Sequence, residues 1–319
     1  MDKKTSISLI EKLAREWRLD SRVFLEINDL LFSAYSENLR DIKLRNEFSF
    51  IFGEDSMIEK KIRIANLLYF SASKGKNNRR VQNARMNSIL SILEGIKKQY
   101  SFPFDLEAIR ELLYFIREVP KWLFQFGLEV DQKGNLRIKL YFENERPDND
   151  FLLVIKILRQ ICGKLGIKYD NSISFIIFKN KIGIIGLDLT KQGYSLKIYD
   201  YFHSPARKEL INMLDKYELF FEGDKDAIYC DFKKTLINGK LFIPRDLDIL
   251  FTYRFLPGST QMGSLKIDAY LSSLPKAEKV FSGSEVAEKN PEIFNFLKNN
   301  NIKISFLGHE FEKMFFYVR

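Results

Sequence analysis

Three short stretches of the sequence place a basic residue two positions before an acidic or aromatic residue, with Ile, Leu or Ala between them. They are Arg137-Ile-Lys139-Leu-Tyr141, Lys197-Ile-Tyr199 and Lys266-Ile-Asp268-Ala-Tyr270. Residues two apart in a β-strand share one face of the sheet. The pattern therefore predicts strands with a polar, cation-bearing face and an apolar face. Because the motif recurs in separate hairpins, it indicates a shared polar interior that can hold an anion beside phenol rings.

Two of the predicted hairpins are near copies of each other. Gly127-Leu-Glu-Val-Asp-Gln-Lys-Gly134, continued by residues 136–141, matches Gly186-Leu-Asp-Leu-Thr-Lys-Gln-Gly193, continued by residues 195–199. Further strand pairs are predicted at 46–52 with 60–65, at 250–256 with 264–271, and at 302–307 with 313–319, with helices between the hairpins. Five such hairpins close most simply into a ten-stranded antiparallel barrel that is polar inside and surrounded by a ring of helices. We therefore predict an α+β fold with a single domain over residues 1–319, on which N-terminal helices within 1–45 pack.

Composition and charge exclude several classes of protein. A hydrophobic content of 45%, with 29 Phe, excludes a disordered chain, and the net charge of +9 favours an anionic partner. No run of about 18 apolar residues occurs and no signal peptide is recognisable, so we expect a cytoplasmic protein without a membrane partner. We also expect a monomer. Cys162 and Cys230 lack metal-ligand neighbours and are predicted to be reduced core thiols. The two histidines, His203 and His309, are too few for a typical zinc site and are expected to be incidental.

Five helix-and-hairpin repeats with Lys-x-Tyr on their second strands resemble the ABBA-type aromatic prenyltransferases, from residue 46 to the end of the chain. Asn46-Glu47-Phe48-Ser49, followed by Lys61-Ile-Arg63-Ile, is similar to the start of the dimethylallyltryptophan synthase branch. The short length is closer to the soluble bacterial members, and Gly186-Leu-Asp-Leu resembles the cyanobactin peptide prenyltransferases, so the branch stays open. The resemblance implies transfer of a dimethylallyl or geranyl group from its diphosphate to an electron-rich acceptor, which is an indole, a phenol or a peptide side chain.

This resemblance assigns expected roles to particular residues. Glu47 is expected to act as the base, with Glu129 as a second, weaker candidate, and Arg63 is expected to bind the diphosphate. Three lysines at equivalent strand positions would converge on the same anion and stabilise the leaving group: Lys139, Lys197 and Lys266. Four tyrosines would shield the carbocation through cation–π contacts: Tyr141, Tyr199, Tyr253 and Tyr317. Asp268, which stands where a tyrosine is expected, and Tyr270 would contact the acceptor.

No cofactor is expected to be required. The sequence has no Asp-Asp-x-x-Asp motif, and position 63 is Arg where some bacterial barrel enzymes hold Mg²⁺ with an Asp, so Mg²⁺ is not expected to be essential. A structural explanation also remains open for each predicted site residue. The lysines could be solvated side chains on half-exposed strands, the tyrosines could reflect the preference of strands for tyrosine, and Glu47 could form an ion pair with Arg63.

Two alternative functions also remain open. One is nucleic-acid binding, motivated by the charge and by a basic cluster that comprises Lys74, Lys76, Arg79, Arg80 and Arg85. The other is a barrel that binds a lipid-like ligand without turning it over. The enzyme hypothesis places the decisive cations inside and expects no nucleic-acid partner.

Overall fold

A computed structural model describes residues 3–18, 21–26, 28–29, 42–52, 58–70, 79–120, 122–131, 135–144, 151–171, 173, 182–203, 205–218, 227–238, 247–271, 285–302, 304–310 and 313–318. The helices are α1 (Lys3–Trp17), α2 (Arg79–Tyr100), α3 (Leu106–Glu118), α4 (Phe151–Leu165), α5 (Arg207–Glu218), α6 (Ala227–Asn238), α7 (Glu285–Lys289) and α8 (Pro291–Asn299). The strands are β1 (Ile42–Phe52), β2 (Ile58–Phe70), β3 (Trp122–Asp131), β4 (Leu136–Asn144), β5 (Ile182–Thr190), β6 (Gly193–His203), β7 (Leu247–Phe255), β8 (Met262–Leu271), β9 (Ile304–Glu310) and β10 (Lys313–Val318). Among the described helices, none combines the length and the apolar character needed to cross a bilayer.

The chain divides into two compact units. The first contains Met1–Asn46, Ile64–Tyr199 and Arg254–Gly263, and the second contains Glu47–Arg63, Asp200–Tyr253 and Ser264–Arg319. When each strand is assigned to the unit that holds its larger part, the hydrogen-bonded order is β6-β5-β4-β3-β2 in the first unit and β1-β10-β9-β8-β7 in the second. The predicted combination of helices and antiparallel hairpins is confirmed. The single domain over 1–319 and the closure of the strands into one barrel stay predictions at this point.

The first unit shows why its sheet has one polar and one apolar face. Along β4 fully buried residues alternate with half-buried ones, and the fully buried set is Leu136, Ile138, Leu140, Phe142 and Asn144. Helix α3 packs on β3 and between α2 and α4, and its buried residues Leu112, Leu113 and Ile116 cover the sheet. The start of α3 is defined by Asp105, whose Oδ1 accepts hydrogen bonds from the backbone N–H groups of Glu107 at 2.9 Å and Ala108 at 3.1 Å.

The second unit is organised around α6, which lies in a stretch, up to about residue 245, where the sequence pattern predicts no regular helix. Tyr229, Phe232 and Leu236 are buried at helical spacing, and α6 packs on β9 and β10. His309 of β9 is fully buried among the rings of this helix. The exposed side of α6 carries Cys230, so the prediction that Cys230 is a core thiol is wrong, whereas Cys162 is buried as predicted.

Candidate functional site

The polar face of the first unit is formed by the two near-copy hairpins. In the strand register, Glu129 of β3 lies opposite Arg137 of β4, and Lys139 of β4 lies opposite Asp188 of β5. Directly opposite residues of paired strands project from the same face of a sheet. The register therefore brings cations and carboxylates from three strands together.

Ion pairs link these side chains. Lys139 pairs with Glu129, and Lys197 of β6 pairs with Asp188. The guanidinium of Arg137 reaches both carboxylates, with NH1 3.4 Å from Oε1 of Glu129 and 3.7 Å from Oδ2 of Asp188. The two lysines predicted to bind diphosphate in this unit are thus already held by carboxylates.

Of the two carboxylates in this cluster, Glu129 was expected only as a second candidate base, and Asp188 was not among the predicted site residues. Glu129 follows Gly127 by two positions, and Asp188 follows Gly186 by two positions, so they are equivalent members of the repeat. The signal for Asp188 was present in that equivalence. The further cation Arg254, at the end of β7, had no motif to mark it, although it is close enough to affect the pKa of Lys197.

The electrostatics of the cluster follow from burial and from an excess of cations. Burial lowers the pKa of Lys197 to about 7; the charges of Arg254, Lys139 and Arg137 act in the same direction, and Asp188 opposes them. Although burial by itself would raise the pKa of Asp188, Lys197, Lys139 and Arg137 hold it below its usual value. Glu129 raises the pKa of Arg137. Four cations and two carboxylates therefore share this buried face.

Two predicted shield residues lie beside the cluster. The rings of Tyr141 and Tyr199 are 6.0 Å apart and inclined at 61°. Gly186 lies opposite Tyr141, and a Cβ atom there would be 3.0 Å from Cε2 of Tyr199 and 3.3 Å from Cβ of Lys197. A Cβ atom at position 186 would therefore make unusually tight contacts, and its neighbours would have to shift by a few tenths of an ångström. Burial raises the pKa of Tyr199 well above its usual value, so its phenol is neutral.

A second buried ion pair lies in the second unit. Lys266 pairs with Asp268 two residues along β8, and both side chains are buried. Gly308 of β9 lies opposite Asp268, and the side chains of the pair occupy the space that a Cβ atom at position 308 would need. The predicted diphosphate-binding lysine and the predicted acceptor contact are therefore in contact with each other.

The register of the second unit also aligns residues predicted to serve the acceptor and the carbocation. Ser49 of β1 lies opposite Tyr317 of β10, Tyr317 opposite Phe306 of β9, and Phe306 opposite Tyr270 of β8. Glu47 precedes Ser49 by two positions along β1. The side chains of Glu47 and Tyr317 lie outside the described part of the structure, so their roles stay predictions.

The other two predicted residues are placed differently. Arg63 lies on β2, and its side chain is also outside the described part. Tyr253 alternates with Thr252 on β7 and shares a face with Ile249 and Phe251, which are buried. Tyr253 therefore lies on the apolar face of β7, opposite to the face expected for a residue that shields a carbocation, and its role stays a prediction.

Two further expectations concern charge and metals. Of the basic cluster suggested as a nucleic-acid surface, Arg85 is only 3% exposed, and Arg79 binds Glu118 with NH2 2.9 Å from Oε1. Lys74 and Lys76 lie outside the described residues.

The described residues contain no group of three or more His, Cys, Asp or Glu side chains suited to a metal ion. Metal independence itself stays a prediction.

Comparison with known proteins identifies the fold. No protein-family model matches the chain, and no curated protein matches its sequence. A structure of 6-dimethylallyl tryptophan synthase matches with a TM-score of 0.62 and 12% identity, over 97% of this chain and 93% of that one. The chain has the fold of the ABBA-type aromatic prenyltransferases. The resemblance inferred from the sequence is confirmed at the level of the fold.

Two further structures share this ABBA fold. NotF in complex with brevianamide F and DMSPP matches with a TM-score of 0.62 and 12% identity, over 98% of this chain and 92% of that one. The 6-dimethylallyltryptophan synthase from Micromonospora olivasterospora, in complex with DMASPP and Trp, matches with a TM-score of 0.60 and 11% identity, over 97% and 94% of the two chains. At such low identities the likeness concerns the ABBA fold and carries no residue roles.

Proposed function

We propose that the protein is an aromatic prenyltransferase that moves a dimethylallyl or geranyl group from its diphosphate to an indole, a phenol or a peptide side chain. The observation that carries the proposal is the buried cluster of the first unit, in which four cations and two carboxylates lie beside a pair of tyrosines. The cations are Arg137, Lys139, Lys197 and Arg254. The ABBA fold is a second, independent line of support.

The cluster suits the chemistry of an allylic diphosphate. Breaking the C–O bond leaves pyrophosphate, and positioned cations stabilise the negative charge that develops on it. Lys139 and Lys197 each use part of their donor capacity on a carboxylate, and an ammonium group has three N–H donors in all. The other N–H donors of these two ammonium groups can bind an anion.

The tyrosine pair suits the other product of ionisation, the allylic cation. The faces of Tyr141 and Tyr199 offer cation–π stabilisation, on the order of 2 kcal/mol for each desolvated ring. They also exclude water, which would otherwise capture the cation. The spacing of the two rings depends on Gly186.

The second unit would supply the remaining groups. We propose that the ten strands form one closed barrel in a single domain with a polar interior. This is supported by the likeness of the chain to solved structures of the ABBA fold over nearly its whole length. In that arrangement Arg63 and Lys266 join the diphosphate site, Tyr317 joins the shield, and Asp268 and Tyr270 contact the acceptor. Glu47 accepts the proton of an acceptor N–H or O–H group.

We further propose that the enzyme is a cytoplasmic monomer that needs no metal. The test is incubation with dimethylallyl or geranyl diphosphate and a panel of tryptophan, tyrosine and short peptides, with and without EDTA. Mass spectrometry is expected to detect an acceptor that has gained one prenyl group, equally with EDTA. Absence of product from every pair would overturn the function, and loss of product with EDTA alone would overturn only metal independence.

A matched pair of variants ties the activity to the cluster. Lys197→Met removes a buried cation and should lower turnover roughly 100-fold, as removal of one positioned electrostatic group does. Lys191→Met changes an exposed lysine in the turn between β5 and β6 and should leave turnover unchanged. Equal turnover in both variants would show that the cluster does not serve the reaction. A gel-shift titration at increasing salt concentration tests the alternative of nucleic-acid binding. If the protein is instead a barrel that binds a lipid-like ligand without turning it over, Glu47→Gln should leave the binding of that ligand unchanged.

A further inference from the structure

Three polar side chains are joined where β6 ends and β7 begins, within the second unit. Nδ1 of His203 lies 2.7 Å from Oδ1 of Asp248, and the hydroxyl group of Tyr201 donates to Oδ2 of Asp248 at 2.5 Å. The rings of Tyr201 and His203 stack, with centroids 6.4 Å apart and an interplanar angle of 14°. Nothing in the function proposed above uses this triad of side chains.

The triad lies on the face of these strands that points away from α5. On the opposite face, Phe202 and Phe251 meet edge to face at 5.7 Å, and Tyr217 of α5 packs 6.0 Å from Phe251. Because side chains alternate along a strand, Tyr201, His203 and Asp248 must project from the other face.

The same face carries a second polar group. Thr252 follows Asp248 by four residues on β7, is buried, and its Oγ1 has no hydrogen-bond partner among the described residues. Tyr201 and His203 also follow Lys197 and Tyr199 at intervals of two residues along β6, so the four residues belong to the same face of this strand. The triad is therefore on the polar side of both strands.

The hydrogen bonds give His203 the form of a base. The partner of Nδ1 is a carboxylate oxygen, which accepts, so Nδ1 is the donor of this hydrogen bond. In the neutral imidazole this tautomer places the lone pair on Nε2. The carboxylate is buried, with its side chain 7% exposed, whereas the side chain of His203 is 74% exposed. The buried Asp248 thus orients the ring of a histidine whose side chain is largely exposed.

Resting on the function proposed above, we propose that His203 takes the proton that the acceptor carbon loses when aromaticity is restored. Attack of a ring carbon on the allylic cation forms a C–C bond and leaves a cationic ring with an sp³ carbon. The C–H bond at that carbon breaks, its electron pair returns to the ring, and the proton goes to Nε2 of His203. His203 then releases the proton to solvent, to which it is exposed. Asp248 and Tyr201 are positioning residues.

This role is distinct from that of Glu47. Glu47 would accept the heteroatom proton of an N–H or O–H group and can return it, so that the acceptor loses one proton in total, from carbon. The two roles separate in a kinetic isotope effect, because only removal of the C–H proton responds to deuterium on the ring.

The test compares ring-deuterated and ordinary L-tryptophan, or L-tyrosine if that is the amino acid prenylated, in the purified full-length chain. His203→Gln should lower turnover roughly 100-fold, as loss of a positioned base does. It should also raise the isotope effect on turnover above the wild-type value, because proton removal becomes rate-limiting. Turnover and isotope effect both unchanged would overturn the proposal, as would prenylation at a heteroatom. Absence of wild-type product would overturn the prenyltransferase function and this proposal together, whereas wild-type product with an unaffected variant would overturn this proposal alone.

The positioning residues give a further measurement. Asp248→Asn and Tyr201→Phe should each raise the isotope effect in the same direction as His203→Gln, with a smaller loss of turnover. Asp215→Asn, at an exposed carboxylate of α5 that pairs with Lys233 at 2.7 Å, is the matched control and should leave both quantities unchanged. If His203→Gln is folded by circular dichroism and the isotope effect is raised equally by Asp215→Asn, the assignment to the triad is wrong.

Discussion

Substitution of Asp188 by Asn tests the buried cluster most directly. The residue is 3% exposed, pairs with Lys197, and lies 3.7 Å from NH1 of Arg137. Removing one partner of a buried ion pair leaves an uncompensated charge and costs about 3–5 kcal/mol of unfolding free energy. With an m-value of about 3 kcal/mol per molar urea, the unfolding midpoint should fall by roughly 1–2 M.

The cost should also depend on pH in a defined direction. The pKa of Lys197 is about 7, so at pH 6 the lysine is charged and the loss of Asp188 is felt in full. At pH 9 Lys197 is neutral even in the wild type, and Asp188→Asn should therefore destabilise less. Urea titrations followed by tryptophan fluorescence at both pH values measure the difference. A larger cost at pH 9, or a midpoint equal to the wild-type value at pH 6, would refute the reasoning.

Inorganic pyrophosphate provides the link from stability to function. In the Asp188→Asn variant the cluster has lost one of its two carboxylates, so pyrophosphate should raise the melting temperature more than it does in the wild type, since ligand binding to the folded state stabilises it. Asp215→Asn, on the exposed surface of α5, is the control and should shift neither the urea midpoint nor the response to pyrophosphate.

Three further predictions follow from single sites. Burial lowers the pKa of Lys197 from the ordinary 10.5 to about 7. Between these two pH values the unfolded chain binds more protons than the folded chain, so the stability of the wild type should rise with pH across that window. Lys197→Met should abolish this rise in urea titrations, and its persistence would assign the rise to another group. Gly186→Ala would place a Cβ atom 3.0 Å from Cε2 of Tyr199. The overpacking should lower the free energy of unfolding by about 1–3 kcal/mol and should lower product formation. An unchanged melting temperature would contradict the tight approach. Asp105→Ala removes the cap of α3. It should lower the free energy of unfolding, measured by urea titration, by about 1 kcal/mol and leave the turnover of the folded enzyme unchanged. A loss of turnover would mean that the cap also shapes the site.

The fold was largely predictable because its signals are local. The period of two along residues 136–141 and 195–199, with glycines at the turns, predicts hairpins, and the structure has β3–β4 and β5–β6 there. Helix α6 was missed because its buried positions, Tyr229, Phe232 and Leu236, are interspersed with polar residues and a cysteine. Such a helix is stabilised by packing on β9 and β10, which only the folded chain brings next to it.

The candidate site was predictable in its residue types and not in its pairings. Strand alternation by itself determined that Lys139, Tyr141, Lys197 and Tyr199 belong to polar faces, since side-chain direction in a strand depends only on sequence position. Which carboxylate each lysine meets is a matter of register between strands, and register is set by long-range pairing. The tertiary structure alone therefore decided that Lys139 pairs with Glu129 and Lys197 with Asp188.

The same division holds for burial and charge. From composition the chain is basic, and its +9 charge is a property of the sequence alone. Only the folded chain decides that Lys197 is buried among other cations and so has a pKa of about 7, while Arg79 lies on the surface beside Glu118. Desolvation and charge–charge distances exist only once distant segments are packed together, which is why the chemical character of these cations could not be obtained from their order in the chain.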